Sequence, residues 1–181
     1  MKSAKGSAYG RIGLLGNPSD IYGGKCISFT FDKEARVDVE ESTRLLISGN
    51  GDIEDKLEYN GRHDLVKASL NILEIRNPEI SVRYDSDIPL GAGLAGSSAI
   101  VIACLRAFNS YYDLGLNRYQ IAEKALRVES EELGITAGFQ DRYAISFEGV
   151  NYMDFSGKEY MREDDGYGTV EKLDVKKIPF F

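Results

Sequence analysis

Asp87-Ile88-Pro89-Leu90-Gly91-Ala92-Gly93-Leu94-Ala95-Gly96-Ser97-Ser98-Ala99-Ile100-Val101 is a proline-punctuated, glycine-rich loop that runs through two serines into an apolar helix. Glycine at 91, 93 and 96 removes side chains, so backbone N–H groups can approach a ligand closely. The helix that follows adds free N–H donors and the positive end of its dipole. Together they describe an anion site, and phosphate is its usual occupant. Two familiar labels do not fit. Gly91, Gly93 and Gly96 match G-x-G-x-x-G, but the dinucleotide fingerprint needs a strand after the helix and an acidic residue about 20 positions on. Here a second helix follows, and Asp113 falls in the turn between the two. Residues 91–98 also match a P-loop, with Ser97 in place of the lysine that reaches the phosphates. A plain turn into a core helix, with the serines as ordinary N-cap residues, stays open beside the anion site.

With 181 residues the chain is long enough for one domain with a real core. Hydrophobic residues at 43% and charged residues at 28% are ordinary for a globular protein. A net charge of −7, with scattered Lys and Arg, argues against a nucleic-acid partner. Residues 1–6 carry no apolar core after their charges and do not read as a signal peptide. The longest strongly apolar run, 99–105, is too short to span a bilayer. Cys26 and Cys104 read as small buried hydrophobes in a reducing cytoplasm, with neither disulfide nor metal spacing. The single histidine, His63, reads as a surface residue at a helix start, which leaves little for Ser-His-Asp or zinc chemistry.

Residues 9–15 read as a strand ending in the turn cluster 16–20. Residues 26–31 and 35–40 suggest a hairpin around Asp32-Lys33-Glu34, and 44–48 another strand. Apolar residues at helical spacing predict an amphipathic helix over 63–75. A strand over 80–84 leads into the glycine loop, and 98–112 is apolar nearly all round, as a buried helix is. Asn117-x-x-Gln120 resembles a capping box that starts a helix ending at Gly134. A helix over 139–147, a strand over 151–154, a polar loop over 163–168 and the approach to a further strand over 173–181 complete an α+β chain.

Two carboxylates fall where they cost something. Glu129 shares the packed face of its helix with Ala122, Leu126 and Leu133, so it either reaches water at the edge of that face or pairs with a cation. Asp141 lies twelve residues on, in the first turn of the next helix, where the dipole favours its ionised form. That suits a carboxylate that accepts or orients a proton, and equally an ordinary first-turn acid.

Pro89-Leu90-Gly91-Ala92-Gly93-Leu94-Ala95-Gly96-Ser97-Ser98-Ala99 resembles the central motif of the GHMP kinases, small-molecule kinases of the galactokinase, homoserine kinase and mevalonate kinase type. Residues 10–20 resemble their first motif, and the spacing of Glu129 and Asp141 matches the metal ligand and catalytic aspartate of the sugar kinases. Residues 13–20, 96–101, 132–135, 137–142 and 152–156 are similar to plant-type glucuronokinases, whereas Asn17-Pro18 departs from the Glu-His of galactokinases. The resemblance implies the GHMP kinase N-terminal fold (ribosomal protein S5 domain 2-like), a mixed sheet packed against helices, over 1–181. It implies an ATP-dependent kinase acting on a sugar hydroxyl, the anomeric one of glucuronate or a related sugar. Gly91, Gly93, Leu94, Ala95, Gly96, Ser97 and Ser98 would wrap the ATP phosphates; Ser98 and Glu129 would hold Mg²⁺. Asp141 would serve as the base, Arg11 would stabilise developing charge, and Asp20 and Asn17 would contact the sugar. Lys25 and Arg142 are candidates for a uronate carboxylate. Family members are typically about twice this long, so a separate C-terminal domain is expected as partner. Other GHMP substrates (a hexose, a heptose phosphate, a mevalonate-like alcohol) and a non-catalytic nucleotide- or sugar-binding module remain alternatives.

Overall fold

The computed structural model describes residues 2–49, 51–89, 91–158 and 166–177. Leu90 of the glycine loop, 163–165 of the expected polar loop and 178–181 of the expected strand approach lie outside the described residues.

Seven strands form one mixed sheet: β1 (Ser3–Leu15), β2 (Lys25–Glu41), β3 (Leu46–Gly49), β4 (Asp52–Glu54), β5 (Ile80–Ser86), β6 (Val150–Asp154) and β7 (Thr169–Lys172), in the order β4-β3-β5-β2-β6-β7 with β1 paired to β2. All pairs are antiparallel except β3 with β5. Among the described residues four α-helices accompany it: α1 (Asp64–Ile72), α2 (Gly96–Tyr112), α3 (Arg118–Arg127) and α4 (Phe139–Phe147). The α+β class, the mixed sheet and the helix at 139–147 agree with the sequence reading.

The expected hairpin at Asp32-Lys33-Glu34 is absent; β2 runs straight through it. Buried positions lie at Cys26 and Ser28, then at Ala35, Val37 and Val39, so the inward parity changes along the strand. The ladder with β1 shifts register between Tyr9 and Arg11 at that point. A bulge, which turns a strand without ending it, absorbs the change. β2 is therefore the spine of the sheet, pairing with β6 near its start and β5 near its end. Just before the expected strand approach the chain forms β7, and Val175–Lys177, within that approach, is a 3₁₀ turn.

Ser3, Lys5, Ser7 and Tyr9 alternate outward on β1 while Gly6, Ala8 and Gly10 turn inward, the pattern of a sheet covered on one face. The main core joins that inner face to α1 and α2, and a smaller cluster around Phe139, Tyr143 and Phe155 lies under α3 and α4. Cys26 and Cys104 are buried and unbridged, and burial pushes both thiols up to about 12, which makes them inert packing groups. No helix among the described residues is long and apolar enough to cross a membrane.

His63 corrects the expectation of a surface residue. It is 8% exposed, caps α1 in a left-handed conformation (φ 53°), and its Nδ1 lies 2.9 Å from the Tyr84 hydroxyl. Burial lowers its pKa below the ordinary 6.5, so the unfolded chain binds the proton more readily than the folded one. Its contribution is complete above pH 6.5 and is lost as pH falls below that value. Melting temperature should therefore drop between about pH 7 and 5, and His63→Asn, which tolerates the left-handed backbone, should shrink that drop. Equal pH slopes in both proteins would contradict this.

Candidate functional site

The glycine loop meets α2 through backbone geometry that its sequence anticipates only in part. Gly91 (φ 68°), Gly93 (φ 70°) and Ala95 (φ 57°) are all left-handed, and Ala95, not a serine, occupies the N-cap of α2 without a side-chain cap. Alternating left-handed residues are a backbone geometry that can turn successive N–H groups toward an anion ahead of a helix. The serines are thereby freed from capping. Ser97 Oγ donates to Glu129 Oε1 at 2.9 Å, and Ser98 Oγ lies 3.0 Å from Glu129 Oε2 and 3.3 Å from Oε1.

Glu129 reaches them because α3 does not continue regularly. The capping box at Asn117 and Gln120 forms as read, but after Arg127 the chain winds into a π-turn over Val128–Glu132. Such turns recur at functional sites because they re-aim side chains. Glu129 is 1% exposed, so it does not reach water at a helix edge. Arg142 on α4 donates to its Oε2 through Nε (2.7 Å) and through Nη2. Arg142 Nη1 also donates to Gly138 O at 2.9 Å.

Asp141, in the first turn of α4, accepts from Arg11 Nε at 2.7 Å and pairs with Arg11 Nη2. Arg11 in turn ties the loop down: its backbone N–H donates to Leu94 O at 3.1 Å, and its Nη1 lies 3.4 Å from Gly93 O. Asp20 is buried in a 3₁₀ turn (Ser19–Tyr22) that follows the cis Asn17–Pro18 bond, and its Oδ2 accepts from Gln140 N at 2.9 Å.

One cavity of about 340 Å³ gathers Arg11, Asn17, Asp20, Ser97, Ser98, Glu129, Asp141 and Arg142 on its walls. The sequence placed seven of these in the site and offered Arg142 as a candidate. Lys25 is not among the wall residues; it pairs with Asp154 at 3.2 Å across the β2–β6 ladder. A second, larger cavity of about 640 Å³ shares Ser97 and Ile135 with the first and is walled by Gly49, Asp52, Arg62, His63, Tyr84 and Ile100. No single stretch of sequence signals it, because its walls come from the β3–β4 turn, the segment around the start of α1, β5, the start of α2 and residues 133–135. Buried Lys67 anchors that segment, donating to Glu58 O at 2.8 Å and Asn60 Oδ1 at 2.9 Å.

The buried carboxylates Asp20 and Glu129, with Asp141 and two arginines, therefore surround one cleft at the start of α2. Residues 64–149 match the family model described as GHMP kinases N terminal domain. It is 32% identical to glucuronokinase 1 of Arabidopsis thaliana, with 95% of this chain and 54% of that protein aligned. It is 31% identical to the D-glycero-alpha-D-manno-heptose 7-phosphate kinase of Campylobacter jejuni, over 86% of this chain and 51% of that protein. Among solved structures, a D-glycero-D-manno-heptose 1-phosphate kinase from Bacteriodes thetaiotaomicron superposes with a TM-score of 0.82 at 29% identity, covering 94% of this chain and 60% of that one. Lactococcus lactis galactokinase complexed with galactose shares the fold, with a TM-score of 0.78 at 16% identity over 96% of this chain and 48% of that one. The chain spans about half the length of the curated relatives it matches.

Proposed function

We propose that this chain is the ATP- and sugar-binding part of a cytoplasmic kinase that phosphorylates the anomeric hydroxyl of glucuronate or a related sugar. The gathering of Arg11, Asp20, Glu129, Asp141 and the two serines around one cavity carries the reading. The glucuronokinase and heptose kinase relatives support the substrate class. A further domain from the rest of the protein would complete the site, since those relatives are about twice as long.

The N–H groups of residues 91–98 cradle the ATP phosphates, and the base lies in the neighbouring 640 Å³ cavity, reached past Ser97. Glu129 Oε1 and Ser98 Oγ, 3.3 Å apart, are hard oxygen donors of the kind Mg²⁺ takes, with water and phosphate oxygens to complete its shell. Bound there, Mg²⁺ would neutralise phosphate charge. Asp141 accepts the proton of the attacking hydroxyl, and an anomeric hydroxyl, more acidic than an ordinary alcohol, asks only a modest base. Arg11 spans Gly93 O and Asp141, between phosphate loop and base, where charge develops as the phosphoryl group passes. Asp20, which accepts from Gln140 N beside Asp141, and Asn17 hold sugar hydroxyls.

The similarity to heptose phosphate kinases favours a phosphorylated heptose as the second reading. Both are separated by giving the full-length protein MgATP with glucuronate, galacturonate, galactose, a heptose 7-phosphate or mevalonate, and following ADP release and the ³¹P spectrum of the product. Glucuronate should give the highest kcat/KM and a C1 phosphate. Nucleotide binding with no turnover on any acceptor would replace the kinase by a non-catalytic binding module.

A further inference from the structure

Arg11 and Arg142 are the cationic side chains on the walls of the site cavity, and both are engaged. Their engagements differ. Arg11 is fixed at both ends, by Asp141 and by the loop carbonyl at Gly93. Arg142 closes its fork on Oε2 of Glu129, the oxygen that Ser98 also reaches, while Oε1 faces Ser97. Its Nη1 stands 3.8 Å from Asp141 Oδ2, beside the acceptor side of the cavity. One guanidinium therefore touches the carboxylate suited to a divalent cation and also borders the place of the sugar.

We propose that Arg142 reads the charge of the acceptor sugar, and does so by exchange. A divalent cation at Glu129 releases the guanidinium from that carboxylate, and the freed fork pairs with a carboxylate on the sugar. This rests on the sugar-kinase reading above. The cavity walls carry three carboxylates (Asp20, Glu129, Asp141) against two guanidiniums. A uronate alone would add a fourth anion with no free cation to meet it. A uronate arriving with a divalent cation leaves the walls balanced. Buried charges persist only when paired, so the two ligands should enter together. Guanidinium geometry matches a carboxylate in two parallel hydrogen bonds, which makes the released fork a selective reader and of little use to a neutral sugar. Lys25, held by Asp154 away from the cavity, does not compete for the role.

Calorimetry on the full-length protein tests this, with D-glucuronate or D-glucose titrated in the presence of AMPPNP plus Mg²⁺ or AMPPNP plus EDTA. Mg²⁺ should tighten glucuronate about tenfold or more, within the usual span of site coupling, and leave glucose within about twofold. Glu129→Gln keeps the side-chain shape but removes the charge that holds Arg142. It should tighten glucuronate without Mg²⁺ to about the Mg²⁺-loaded wild-type affinity and abolish the coupling. A damaged fold cannot produce that gain. Arg142→Gln should erase the preference for glucuronate over glucose. Glucuronate binding indifferent to Mg²⁺, or untightened by Glu129→Gln, overturns the exchange even if the protein phosphorylates sugars. Absence of phosphorylation of any sugar overturns the kinase reading instead.

Discussion

Asp141→Asn in the full-length protein should lower kcat by about 10²- to 10⁴-fold, the usual worth of a positioned general base, and leave ATP affinity within about twofold. Asparagine matches aspartate in shape, and its amide oxygen can still accept from Arg11 Nε, which now meets Asp141 at 2.7 Å. It cannot take a proton. It also leaves the Arg11 charge without its carboxylate, so the guanidinium is free to follow a phosphate. On the proposed reading nucleotide is carried by the loop N–H groups and the neighbouring cavity, whose walls do not include Asp141. The loss should therefore appear in kcat, with the equilibrium dissociation constant of AMPPNP unchanged. A kcat within tenfold of wild type would remove Asp141 from the role of base. A parallel weakening of nucleotide binding would point to a collapsed cleft, which thermal melting of the variant would reveal.

The site was legible to the extent that its residues lie in short, local patterns. The helix start after the glycine loop, the first-turn position of Asp141 and the capping box at Asn117 each depend on a few neighbouring residues; the last two formed as read, and the first differs only in that Ala95 takes the cap. What depended on distant partners was not legible. The polar triple at Asp32-Lys33-Glu34 has turn composition, yet pairing with β1 on either side of it, across a bulge, carries the strand through. Ser97 and Ser98 have cap chemistry, but a left-handed Ala95 takes the cap and Glu129 takes the hydroxyls. Regular helical periodicity could leave Glu129 open between solvent and a partner. Only the π-turn and Arg142, thirteen positions away, close the choice. His63 has no sequence neighbour that marks it as buried; Tyr84 from the adjacent strand provides its partner. The base cavity shows the same limit, since no one segment builds it.

Gly6→Ala should cost about 3 kcal/mol or more of stability, at or beyond the upper end of ordinary overpacking. Gly6 lies on the inner face of β1 opposite Val37, where α2 crosses the strand. A methyl group there would fall on Ala103 O and within 2.6 Å of Ala107 N. Both are backbone atoms of α2, so no side-chain rotation relieves the clash. Either the helix lifts or the strand gives up its pairing. The consequence reaches the site, because α2 begins at Gly96 and the loop before it is held to β1 by Arg11 N–H on Leu94 O at 3.1 Å. A lifted helix carries Ser97 and Ser98 away from Glu129 and loosens the concavity meant for phosphate. Gly51→Ala is the control. Its φ of 81° is also left-handed, but a Cβ there meets nothing within 4 Å, so only the backbone penalty of about 1–2 kcal/mol applies. Denaturant unfolding of the two variants separates the terms. If Gly6→Ala loses no more than Gly51→Ala, close approach of α2 is not what glycine provides at position 6. If it loses more and AMPPNP binding weakens with it, the seating of α2 on β1 and the shape of the phosphate loop are a single requirement, met by the absence of one methyl group.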